Sequence, residues 1–247
     1  MFSRLKEYFK ESIDLAKRQE EFAAAMPDAQ ARRELLERFK TASQNIRCPH
    51  NPSHILSFVT SLLKLPPDVE GCIVEAGTFK GGSAAKFSVV AKMLKRELVI
   101  FDSIEGLPEN KEEHKKTISG TSIEGWFEGH EFCGALEEVQ QNLGKYGEIG
   151  VCRFIKGWFD QTMPHFDGKI CAAYIDVDLA SSTRTCIRYL YPRLSPGGVL
   201  VSQDGDFPLV IDVFRDDKFW EEEVGCARPH IDGLGSAKML TIVKPGR

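Results

Sequence analysis

The sequence predicts an α/β fold, with one doubly wound, mostly parallel sheet of seven strands carrying an N-terminal helical cap. Three observations predict it. From Gly71 onward short apolar runs alternate with longer amphipathic segments, the pattern of βα units on a parallel sheet. Before about residue 65 the apolar positions recur at helical spacing, and Pro66-Pro67 stops the helix. The 247 residues allow one large α/β domain with an extension. The expected organisation is a helical cap at 1–67 and a ligand-binding α/β domain at 68–247, with a long polar insertion at about 105–130.

The N-terminal segment places Phe2, Leu5, Phe9, Ile13 and Ala16 on one helical face. Its polar face mixes acids and bases, so packing on the body or on a second copy of the chain is expected rather than a membrane surface. Charges run through this segment, so it does not read as a signal peptide. Leu35-Leu36, Phe39, Ile55-Leu56, Val59 and Leu62-Leu63 continue the helical pattern. The strand runs follow: CIVEA (72–76), LVIFD (98–102), CRFIKG (152–157), ICAAYIDVD (170–178), GGVLVSQD (197–204) and KMLTIVK (238–244). A weaker run near Val224–Arg228 makes seven. Helices are expected at about 81–95, 132–144, 180–192 and 206–222, and Pro196-Gly197-Gly198 is expected to turn into the fifth strand. The insertion is long enough to be a lid.

Composition narrows the function. The net charge of −4 offers no electrostatic reason for a nucleic-acid partner. No apolar run approaches the roughly 18 residues of a membrane span. Seven cysteines without a C-x-x-C fit a reducing, cytoplasmic setting. The cluster Cys48-Pro-His50-Asn-Pro-Ser-His54 matches no common zinc spacing.

In an open α/β sheet the ligand sits beyond the carboxyl ends of the strands. The first such end, IVEAGTFKGGSA (73–84), puts Glu75 in the turn, Gly77 at the bend and Gly81-Gly82-Ser83 at a helix start. Glycines admit close backbone approach, and a helix N-terminus offers free N–H groups. An acid there repels a pyrophosphate and favours a sulfonium or ammonium; an ordinary glycine-rich turn is the alternative. Asp102 ends the second strand, where an acid can accept ribose hydroxyls, or cap a turn. Asp176 and Asp178 end the fourth run, and their i, i+2 spacing directs both to one side of a strand. Asp178 could instead cap the next helix.

In order and spacing, IVEAGTFKGGSA, FDSIEGLPE, KGWFDQTMP, YIDVDLASST and GGVLVSQD resemble the TylF/MycF-like (macrocin-type) O-methyltransferases. The resemblance runs from about residue 70 to 215. It implies a class I methyltransferase fold and a Mg²⁺-assisted, S-adenosylmethionine-dependent enzyme that methylates a hydroxyl of a sugar or natural product, and it makes a homo-oligomer expected. By that resemblance Glu75, Ala76, Gly77, Thr78 and Ser83 lie by the methionine end of the cofactor, Asp102 and Ser103 at the ribose, and Gly157 and Trp158 near the adenine. Asp176 borders cofactor and metal, and Asp178 is the general base. The family usually carries two adjacent acids after the fifth strand. Here they are Gln203-Asp204, so the implied metal set is Asp176, Asp204 and the amide of Gln203, with Asp206 as a substitute ligand. Other classes weighed are a dinucleotide-dependent oxidoreductase, opposed by the missing G-x-G-x-x-G, and a metal-independent or inactive cofactor-binding protein, favoured only by Gln203.

Overall fold

A computed structural model of the chain describes residues 15–246. The apolar positions Phe2, Leu5, Phe9 and Ile13 lie outside the described residues.

Helix α1 (15–25) leads into α2 (Ala29–Asn45), whose first N–H groups, from Gln30 and Ala31, are accepted by the Asp28 side chain. Helix α3 (Pro52–Leu63) starts on an Asn51 cap with proline in its first turn. Then come β1 (Cys72–Ala76), α4 (Gly82–Met93), β2 (Leu98–Asp102), α5 (Leu136–Tyr146), β3 (Cys152–Lys156) and the short α6 (Phe159–Thr162). The chain continues with β4 (Ile170–Ile175), α7 (Ala180–Leu190), β5 (Leu194–Ser202), α8 (Pro208–Arg215) and β6 (Leu240–Val243). The strand order is β3-β2-β1-β4-β5-β6, parallel except for β6 against β5. The order reverses direction between β1 and β4, which opens a crevice at their carboxyl ends.

Strand alternation divides the core. Ile73, Leu98 and Ile100 face one side, where Phe22, Leu35, Phe39, Ile55 and Phe58 cover them. Val74, Val99 and Phe101 face the other, against Ile187, Val210, Phe214 and, from the insertion, Leu107, Ile123 and Phe127. Each fully buried Leu or Phe contributes about 1.5–3 kcal/mol. The helices before β1 therefore form one layer of the sheet's own core.

Three expectations are corrected. The described residues form six strands, not seven. The run 224–228 instead ends a wide helical turn, Trp220–Val224, closed by Gly225 at φ 84°. Trp220 and Val224 fill the core there, and the next contact with the sheet edge is a single Asp232–Thr241 bridge. Pro196, Gly197 and Gly198 lie inside β5, and the β4–β5 register slips between the Ile170–Leu194 and Ala172–Val199 pairs. Strand β4 stops at Ile175, so strand alternation does not set the directions of Asp176 and Asp178.

Candidate functional site

A cavity opens at the β1–β4 crevice, bordered by Gly77, Thr78, Ser83, Asp102, Ser103, Trp158, Asp176, Asp178, Gln203 and Asp204. Gly77 makes this junction possible. It sits at φ 82°, and a Cβ there would lie 1.9 Å from the Asp176 carbonyl oxygen. The Asp176 N–H donates to the Ala76 carbonyl at 2.9 Å, tying the two strand ends together.

Helix α4 begins after Gly81 in the left-handed conformation and has no side-chain cap. Its N-terminus is thus open to an anionic group, with Ser83 and Thr78 beside it. The Thr78 hydroxyl is buried without a partner, as are both Glu75 oxygens beneath the turn. Burial pushes the Glu75 carboxyl up to about 8; the Ser83 and Thr78 hydroxyls, near it but out of hydrogen-bonding geometry, pull it down less. Unpartnered buried polar atoms beside an uncapped helix fit a bound cationic amino-acid ligand.

Asp102 ends β2 at the cavity. Its Oδ2 accepts the N–H groups of Thr78 (2.7 Å) and Phe79 (3.3 Å), and its Oδ1 accepts that of Ile104 (2.7 Å). It braces the glycine turn while still bordering the cavity. Burial raises its carboxyl above the usual range, and these N–H groups oppose the rise. The Ser103 hydroxyl donates to the Gly106 carbonyl. Gly157, at φ 139°, donates its N–H to the Asp102 carbonyl and delivers Trp158 to the rim.

Asp176, Asp178 and Asp204 each bring an oxygen to within 4.8 Å of the others. Asp178 reaches this cluster through a left-handed backbone, φ 59°. The buried Asp204 accepts the N–H groups of Val177 and Asp178 on Oδ2, both at 3.0 Å. Burial first, then the neighbouring carboxylates, raise both Asp178 and Asp204, while Lys238 opposes. Three hard oxygen donors of like charge suit Mg²⁺. Asp206 pairs with Lys238 at 3.0 Å and stays out of the cluster. Asp178 does not cap α7, because Glu112 of the insertion does so.

Gln203 is engaged at both ends. Its Oε1 accepts the Tyr174 hydroxyl and its Nε2 meets His54 Nδ1, each at 2.9 Å. His50 Nε2 lies 2.6 Å from Asp176 Oδ2. Burial lowers the His50 ring, but the charge and hydrogen bond of Asp176, together with Cys48, outweigh it and leave the ring well above its usual value. Cys48 Sγ stands 3.6 Å from His50 Nδ1; burial raises this thiol, and His50 and the Lys86 charge together lower it further than that.

The insertion closes one side. His114 is buried, its Nε2 3.1 Å from Glu112, its ring edge-on to Phe127 and Phe207. The Ile118 N–H donates to the Asp206 carbonyl. Trp126 borders the cavity yet remains 53% exposed.

Sequence reasoning missed His50, Cys48, Lys238 and Glu112 as site residues. For His50 and Cys48 the available signal is the C-P-H-N-P-S-H cluster itself, a thiol and two histidines within seven residues at the start of a helix.

The family model described as Macrocin-O-methyltransferase (TylF) matches residues 59–232. The chain is 31% identical over 183 residues to the 8-demethyl-8-(2,3-dimethoxy-alpha-L-rhamnosyl)-tetracenomycin-C 4'-O-methyltransferase of Streptomyces olivaceus, covering 69% of this chain and 66% of that protein. It is 28% identical over 146 residues to the Mycinamicin III 3''-O-methyltransferase of Micromonospora griseorubida, covering 57% of each. The chain thus spans less than two thirds of the length of these curated relatives. Among solved structures, the O-methyltransferase NovP superposes with TM-score 0.61 at 21% identity over 78% of each chain. The calicheamicin methyltransferase CalS11 gives 0.57 at 18% over 87% of this chain and 93% of that one. The SAH-bound Podospora anserina methyltransferase PaMTH1 gives 0.52 at 15% over 86% and 88%. These likenesses establish the class I methyltransferase fold. Among the described residues no helix is long and apolar enough to cross a membrane.

Proposed function

The chain belongs to the macrocin-O-methyltransferase (TylF) family, and on that premise we propose that it transfers the methyl group of S-adenosylmethionine to a hydroxyl of a sugar or other natural-product acceptor. One observation carries the reading: the carboxylates of Asp176, Asp178 and Asp204 converge at the floor of a cavity whose other wall is the Gly77 turn and the uncapped start of α4. The cofactor brings an electrophilic methyl on a sulfonium. Glu75 and Thr78, buried and unpartnered, and the open α4 N–H groups would hold its amino-acid end, with Asp102 and Ser103 at the ribose and Gly157 and Trp158 at the base.

Asp176 and Asp204 would hold Mg²⁺, which supplies Lewis acidity toward the acceptor hydroxyl. Gln203 contributes through Tyr174 and His54 rather than as a ligand. Asp178 is the general base. Burial and its like-charged neighbours raise its carboxyl, which makes it a better proton acceptor than an exposed aspartate. Lys238, bordering the cavity and paired with Asp206, offsets the concentrated negative charge. Phe127 and Phe207, packed on each other, wall the acceptor side, with Trp126 at its rim.

The reading extends to a cytoplasmic setting, supported by seven free cysteines, and to a homo-oligomer, supported by the apolar spacing of the N-terminus. The test is methyl transfer from labelled S-adenosylmethionine to glycosylated natural products, with and without EDTA. Absence of cofactor binding by calorimetry, together with tight NAD binding, would sink the assignment.

A further inference from the structure

The segment Cys48–His54 carries two histidines that the proposed reaction does not use, and both end on the catalytic strand ends. Asn51 and Pro52 start α3 there: the Asn51 side chain accepts the Ser53 N–H at 3.0 Å, which fixes the backbone between the two rings. His50 reaches β4, with Nε2 2.6 Å from Asp176 Oδ2. That contact requires the hydrogen on Nε2, so the ring donates and the carboxylate accepts. The His50 side chain is only 8% exposed and stands edge-on to Tyr174. His54 reaches β5, where it and the Tyr174 hydroxyl take the two ends of the Gln203 amide. Tyr174 is itself immobilised between Phe58 and Phe87.

We propose that His50 and His54 are positioning residues of the acidic centre, with His50 fixing the rotation of Asp176 and His54 holding Gln203 out of the donor set, so that a divalent cation is left to Asp176 and Asp204, with Asp178 free beside them. This rests on reading Asp176 and Asp204 as a cation site. The physical reason is general: a ligating carboxylate free to rotate loses entropy on binding a metal, whereas one already hydrogen-bonded from behind presents its lone pairs in place. The same contact explains why a segment 126 residues upstream, on helices that otherwise only cover the sheet, belongs to the catalytic centre.

The test uses Mn²⁺ as probe, followed by calorimetry and electron paramagnetic resonance on the full-length protein without cofactor. His50→Leu fills the ring's space without a donor, and His50→Gln keeps an N–H within reach. The expected result is Mn²⁺ binding to the wild type, about 10–100-fold weaker binding to His50→Leu, and recovery of most of that loss in His50→Gln. If His50→Leu does not fold, His50→Asn, whose amide stops short of Asp176, replaces it. Wild-type binding with equal affinity in the loss variant overturns the positioning role alone. Equal weakening of the loss and Gln variants also overturns it, because the ring's bulk and not its donor would then matter. A wild type that binds no Mn²⁺ overturns the cation reading itself, and the proposal with it.

Discussion

Glu112 caps helix α7 from the insertion: its Oε1 accepts the Ser181 N–H at 2.8 Å, and its Oε2 accepts the Ala180 N–H at 2.7 Å. The helix has no cap of its own, since Leu179 precedes it. The first turn of α7 starts two residues after Asp178, so docking of the insertion and the position of Asp178, the proposed base, are mechanically joined. Asp178 is thereby released from the role that its position before a helix would otherwise give it.

Removing that carboxylate should loosen both. Glu112→Ala is expected to cost about 0.5–2 kcal/mol of stability, the range for a lost N-cap, read as a lower Tm. It should also reduce kcat while leaving cofactor affinity unchanged. Burial alone would raise this carboxyl, but His114 and the Ser181 and Ala180 N–H groups lower it from 4.5 to about 2. A folded-state value below the unfolded one gives stability that is complete above about 4.5 and lost as pH falls toward 2. The Tm difference between wild type and Glu112→Ala should therefore shrink across that window.

Glu75 gives the opposite sign. Its folded-state value of about 8 exceeds the ordinary 4.5, so the stability it contributes is complete below 4.5 and declines as pH rises through 8. Glu75→Gln removes the buried charge. Without cofactor, its Tm should exceed that of wild type by an amount that grows between pH 5 and pH 9, while its affinity for S-adenosylmethionine falls. A Tm difference that is flat with pH would show that Glu75 is not the group responsible.

Asp178→Asn preserves shape and tolerates the left-handed backbone at φ 59°. Loss of a general base should lower kcat by about 10²–10⁴-fold with little change in cofactor binding. Full turnover by this variant would move the base elsewhere.

Trp126 is a large apolar side chain left half in solvent at the cavity rim, beside Phe127, which is packed on Phe207. Such a ring is suited to stack on the acceptor. Trp126→Ala should raise the acceptor KM roughly tenfold and leave the cofactor's Kd unchanged, as measured by initial rates and calorimetry.

The strands at 72–76, 98–102 and 170–175 were legible because parallel strands buried on both faces read as continuous apolar runs, which are local in sequence. The glycine turn after Glu75 and the acids at the other strand ends were legible for the same reason: chemistry placed at a strand end is a local pattern. The seventh strand failed because the run 224–228 carries the right residue types, but Trp220 and Val224 are drawn into the core and Gly225 turns the chain away.

By itself the sequence determined the fold class, which follows from periodicity, and showed a glycine turn and acids at the strand ends, which follow from residues a few positions apart; the roles proposed for Asp176, Asp178 and Asp204 came from the family resemblance. Only the tertiary structure decided what holds them. It pairs His50 with Asp176 across 126 residues, Gln203 with His54 across 149 and Glu112 with Ala180 across 68. Nothing in a local pattern records which distant donor a folded chain will bring to a carboxylate, because that choice is made by packing the helices on the sheet.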